Sequence, residues 1–156
     1  LPIRQFLGDN TRFSRPDPEV ILCAPANARG TITVAGYNHL DNSLYVESSR
    51  GYTRKGRIQP DFAAPAVRVS GLREAVERAA VRAPGGTSVG AALTAGAAAL
   101  FLEWGIVRGN YYGMNTEVIR QILIRGARTV VDIAYPNPAW GWGVLDISRA
   151  FEALRG

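Results

Sequence analysis

A serine preceded by glycine and followed by small and apolar residues is the feature of this chain best suited to chemistry. Gly86-Thr87-Ser88-Val89-Gly90-Ala91-Ala92 runs into Leu93-Thr94-Ala95-Gly96-Ala97-Ala98-Ala99-Leu100. Glycine lets the backbone turn sharply and lets a substrate approach, and the helix that follows brings unpaired N–H groups and a positive dipole end to Ser88. A hydroxyl in that place can attack a carbonyl, and the same N–H groups can hold the oxyanion that develops. Gly85-Gly86-Thr87-Ser88 at a helix N-terminus would also suit a bound anion such as a nucleotide phosphate. That second chemistry lacks its charged partner, because no lysine precedes the Thr-Ser pair.

The other reactive side chains are sparse. His39 is the single histidine and reads as a locally bonded loop or strand-end residue rather than a base. Cys23, the single cysteine, excludes an intrachain disulfide framework and reads as an inert packing residue. The net charge of +5 raises the question of a nucleic-acid partner. Arg50, Arg54, Lys55 and Arg57 cluster in one loop, but no recognition helix or RNA-binding motif accompanies them, so the loop reads as solvated and no nucleic acid is expected. No membrane partner is expected either, since the apolar run from Ala91 to Trp104 is interrupted by Gly96 and ended by Glu103 and Gly105.

The elements that must position Ser88 follow from periodicity and punctuation. A chain of 156 residues, 47% hydrophobic and 20% charged, suffices for one domain with a real core. Residues 1 to 19 carry turn signals and read as an irregular lead-in, and the domain occupies residues 20 to 156. Thr31 to Val34 predicts a first strand, Leu44 to Ser48 a second after the turn at Asp41-Asn42, and Val67 to Ser70 a short third. The helix after Ser88 places Val89, Leu93, Gly96 and Leu100 on one stripe with alanines elsewhere, the pattern of a helix buried on several sides, and Gly105 is its expected stop. Asn115 caps the next helix, whose core face is Val118, Ile119, Ile122 and Leu123 and whose end is Gly126. A last helix from Asp146 to Leu154 buries Ile147, Ala150, Phe151 and Leu154. Strands followed by helices in this order predict an α/β structure with a mainly parallel sheet covered on both faces.

The serine stretch, with Pro60-Asp61-Phe62-Ala63-Ala64-Pro65 upstream, resembles the serine region of the subtilisin-like proteases (subtilases, peptidase family S8). Gly30-Thr31-Ile32-Thr33-Val34-Ala35-Gly36 is similar to that family's core strand, Ser48-Ser49-Arg50-Gly51 to its serine-rich loop, and Gly141-Trp142-Gly143-Val144-Leu145-Asp146 to its closing turn. Tyr37-Asn38-His39, Arg50-Gly51-Tyr52-Thr53 and Leu102-Glu103-Trp104-Gly105-Ile106-Val107 look most like the spore-germination branch found in clostridia, in which a jelly-roll insert precedes this region and could end in residues 1 to 19. The resemblance implies a subtilisin-like three-layer α/β fold of which this chain is the C-terminal half. It also implies a serine endopeptidase acting on polypeptides, with Ser88 as nucleophile and with Thr87, Gly86 and the Ser88 N–H at the oxyanion. The histidine, aspartate and oxyanion asparagine are expected upstream, so the chain alone is expected to be inactive. Its missing N-terminal half, or a second copy of itself, is the expected protein partner, through apolar helix faces and an unpaired strand edge. No cofactor is expected: structural calcium is common in the family, but no dense carboxylate loop marks it here. The family implies a secreted or spore-associated protein.

Three departures from the family pattern leave a second reading open, a pseudoprotease acting as a binding or signalling module. Gly90 stands for the usual alanine and Ala92 for the usual proline; Ala66 stands for the usual glycine; and Leu72 to Arg82 reads as a charged helix, supported by Glu74 and Arg78, where relatives have a short loop.

Overall fold

The computed structural model describes residues 8, 10–11, 14–15, 17, 19–69 and 85–154. The charged helix expected over 72–82 lies outside them, as does most of the 1–19 lead-in. The described residues form strands β1 (Val34–Asn38), β2 (Ser43–Leu44) and β3 (Phe62–Pro65) in the order β2-β1-β3. They also form helices α1 (Thr87–Leu102), α2 (Thr116–Gly126) and α3 (Ile147–Glu152). β1 and β3 are parallel, with Val34 opposite Phe62 and Tyr37 opposite Pro65, while β2 returns antiparallel through Leu44 opposite Tyr37.

All three strands differ from their expected bounds. β1 starts at Val34 because the polar groups before it are engaged elsewhere: Thr31 Oγ1 donates to Ala28 O, Thr33 Oγ1 to Ala26 O, and Thr33 N–H to the Asp61 carboxylate. β2 stops at Leu44 because the chain turns back, Ser48 N–H donating to Tyr45 O while Ser48 Oγ accepts from Gly36 N–H at 2.9 Å. The third strand is Phe62–Pro65 rather than Val67 to Ser70, where Arg68 takes φ 48° and Ser70 lies outside the described residues.

The period-two alternation of β1 and β3 sorts two cores. Val34 and Phe62 face α1 and join Ala97, Phe101, Ile119, Leu123 and Ala150. Ala35, Tyr37 and Ala63 face the other way, against Trp140 and Val144. Gly36, on the α1 face, admits no side chain: a Cβ there would lie 2.7 Å from Ala66 Cβ and 3.2 Å from the Thr87 methyl. The outer edge of β3 is not open, because Ala63 N–H donates to Gly143 O and Leu145 N–H donates to Ala63 O, each at 2.8 Å. The edge of β3 away from β1 is therefore covered by the 141–145 segment.

α1 is buried on one stripe, Gly90, Thr94, Ala97 and Phe101, rather than on several sides. Leu93, Leu100 and Leu102 are exposed, because α1 lies on β1 and β3 and nothing among the described residues covers its far side. Gly105 does not stop it. The helix passes into a π-helical turn, Glu103–Val107, and ends at Gly109, whose φ is +72°. Gly105 instead packs against Met114 and Tyr111, where a Cβ would meet both at 3.0 Å. The helical run Thr87–Val107, 21 residues, is thus longer than the sequence suggested and meets the length and apolarity of a membrane span, by those measures alone.

α2 is capped as expected, with Asn115 Oδ1 accepting from Glu117 and Val118 N–H at 3.0 and 3.1 Å, and Ile119, Ile122 and Leu123 are buried. Gly126 lets α3 approach closely: a Cβ there would lie 2.4 Å from Ala150 Cα. Asp146 caps α3, and Phe151 stacks on Phe101 of α1 with ring centroids 4.2 Å apart.

Candidate active site

Ser88 is the second residue of α1 and is exposed. What sets it there is the turn before it. Gly86 has φ 121° and ψ 159°, a region open essentially to glycine alone, and its N–H donates to Ala66 O at 2.6 Å. Ala66 N–H in turn donates to Tyr37 O, so the start of α1 is tied through one residue to the end of β1. Thr87 is half-buried, with its methyl over Gly36. The three residues singled out from the sequence are therefore contiguous at the carboxyl ends of two parallel strands, the end of an α/β sheet where ligands bind.

The electrostatics suit a developing negative charge. The first turn of α1 carries no acidic residue, so its positive dipole end is not neutralised within the helix. Gly90, next round the helix, is buried against β3, where a Cβ would come 3.3 Å from Ala64 Cβ. That glycine lets α1 sit close to the sheet. Ala66 is fully buried and is not among the residues with positive φ, so the alanine carries no left-handed strain.

The remaining candidates lie elsewhere. His39 is exposed in the turn after β1, and Cys23 is half-buried with Sγ 3.6 Å from Ile21 O. No group of three histidine, cysteine or carboxylate side chains that could hold a metal ion occurs among the described residues.

One charged group inside the serine-region motif escaped the sequence reading. Asp61 is fully buried, accepting from Thr33 N–H at 2.7 Å and from Arg120 Nη1 at 3.0 Å. Desolvation pushes its carboxyl above the ordinary value, against the pull of Thr33 and Arg120. Arg120 also grips Glu117, whose carboxyl it lowers to about 2. The signal available was a charged residue between Pro60 and the apolar Phe62-Ala63-Ala64, a position that demands a buried partner.

A model of the Subtilase family matches residues 8–143. The fold is similar to that of the Clostridium perfringens CspB protease, at 38% identity and a TM-score of 0.85, over 96% of this chain and 31% of that one. It is similar also to the patellamide maturation protease PatA, at 25% identity and a TM-score of 0.64, over 85% of this chain and 46% of that one. The prenylagaramide maturation protease PagA shares the fold at 21% identity and a TM-score of 0.68, over 90% of this chain and 48% of that one. Among curated protein sequences none matches. The chain thus spans less than half the length of each of these proteases. With the family match running from the lead-in to the closing turn, and with the serine standing free at the head of α1, the chain belongs to the subtilase family.

Proposed function

We propose that this chain supplies the nucleophile of a serine endopeptidase. The observation that carries this reading is the exposed Ser88 hydroxyl at the head of an acid-free helix N-terminus, behind a glycine in a conformation closed to other residues. In the reaction Ser88 Oγ bonds to the peptide carbonyl carbon while its proton passes to a histidine supplied from outside this chain. Collapse of the tetrahedral intermediate breaks the C–N bond, and the histidine returns the proton to the leaving amine. Water then hydrolyses the acyl-serine by the reverse path. The Ser88 N–H, beside Gly86 and Thr87, holds the oxyanion together with an asparagine also supplied from outside. Similarity to the CspB protease over 96% of this chain but 31% of that protein supports a division in which the base lies beyond these residues.

The pseudoprotease reading draws no support from Gly90 or Ala66, since packing accounts for the first and the second carries no strain. The 72–82 segment lies outside the described residues. The test is labelling by a fluorophosphonate. The isolated chain should label negligibly; joined to a segment carrying histidine, aspartate and asparagine, it should label at Ser88 alone. Ser88→Ala should then abolish labelling and lower turnover about a million-fold. Peptidase activity surviving Ser88→Ala would overturn the nucleophile assignment. A folded, complete but unlabelled protein would favour the pseudoprotease.

A further inference from the structure

Beside the lead-in to β1, two cavities adjoin. One, of about 730 Å³, lies between the Val20–Ala24 stretch and the Tyr52–Lys55 loop. The other, of about 550 Å³, lies between Gln59 and α2. Arg29 and Arg57 line both.

The first cavity is lined by Arg29, Arg54, Lys55 and Arg57 and, among the described residues, by no carboxylate, whereas Glu117 lines the second. Arg29, Arg54 and Lys55 are exposed and make no ion pair among the described residues, while Arg57 is fixed at the junction by donating to the carbonyls of Asn27 and Ala28.

We propose that the first cavity binds an extended acidic segment of a polypeptide, with its carboxylates against Arg29, Arg54 and Lys55. The walls favour a peptide over a nucleic acid. Val20, Ile21 and Leu22 offer an apolar surface for alternate side chains. A single-stranded nucleic acid needs a succession of rings to stack on. Among the described residues the first cavity provides one aromatic residue, Tyr52, whose hydroxyl is tied to Pro136 O. The site is separate from Ser88, so it stands or falls without the peptidase reading.

The test is fluorescence polarisation of the full chain with a short fluorescein-labelled peptide of alternating glutamate and leucine. Saturable binding that weakens with added salt is expected. Reversing two exposed cations, Arg54→Glu with Lys55→Glu, should weaken it about tenfold or more. Equal affinity for a lysine-leucine peptide or for oligothymidylate, no binding at all, or binding indifferent to these substitutions would each overturn the proposal.

Discussion

Arg120 Nη1 lies 3.0 Å from Asp61 Oδ1, joining the middle of α2 to the residue that opens β3. The carboxylate is fully buried, whereas the Arg120 side chain is 27% exposed. Removing the cation leaves a buried charge with Thr33 N–H as its remaining partner, so Arg120→Met should destabilise the fold by about 3 kcal/mol. Asp61→Asn, which leaves an oxygen able to accept from Thr33, should cost less. Urea unfolding of the two variants measures the difference, and equal losses would show that Arg120 does not compensate Asp61.

The same network sets an acid response. Glu117 has its pKa lowered from 4.5 to about 2 in the folded state, first by its hydrogen bond from Arg120. Its contribution to stability is therefore full above the unfolded value and is lost as the pH falls toward about 2. Asp61 has the opposite sign, because burial raises its folded value: its contribution is full below the unfolded value and is lost as the pH rises through the folded one. Glu117→Gln should flatten the fall in stability below pH 4.5, read as thermal midpoint against pH. An unchanged acid limb would assign it to other carboxylates.

Gly86 carries the backbone conformation that presents Ser88, with φ at 121°. Gly86→Ala should strain the turn by about 1–3 kcal/mol. In a complete enzyme, fluorophosphonate labelling at Ser88 should slow more than overall unfolding would explain, since the strain falls on the residue two before Ser88. Labelling at the unaltered rate would show that the turn relaxes without moving Ser88.

The exposed stripe of α1 should drive association. Leu93 and Leu100 are 37% and 47% exposed on a helix whose opposite stripe rests on the sheet. Contiguous apolar surface of this kind marks an interaction face. The chain should self-associate or bind the segment that completes its domain, and Leu93→Gln with Leu100→Gln should shift sedimentation toward monomer. A monomer at high concentration before any substitution would show that this face needs no cover.

The sequence alone settled what local chemistry settles. Asn115 caps its helix because it places a side-chain oxygen on free N–H groups two or three residues ahead, a relation written in spacing. Gly86-Thr87-Ser88 at a helix head was legible for the same reason, and so were the ordered motifs that carry the family. Strand identity was not: Phe62-Ala63-Ala64-Pro65 has weak β-propensity and becomes a strand because a parallel neighbour and two cores bury both of its faces. Nor was the α1 face, since alanine and leucine all round a helix say that burial is available, while the one-sided contact with β1 and β3 decides which stripe takes it. The Asp61–Arg120 pair spans 59 residues, and only folding brings its partners within hydrogen-bond reach.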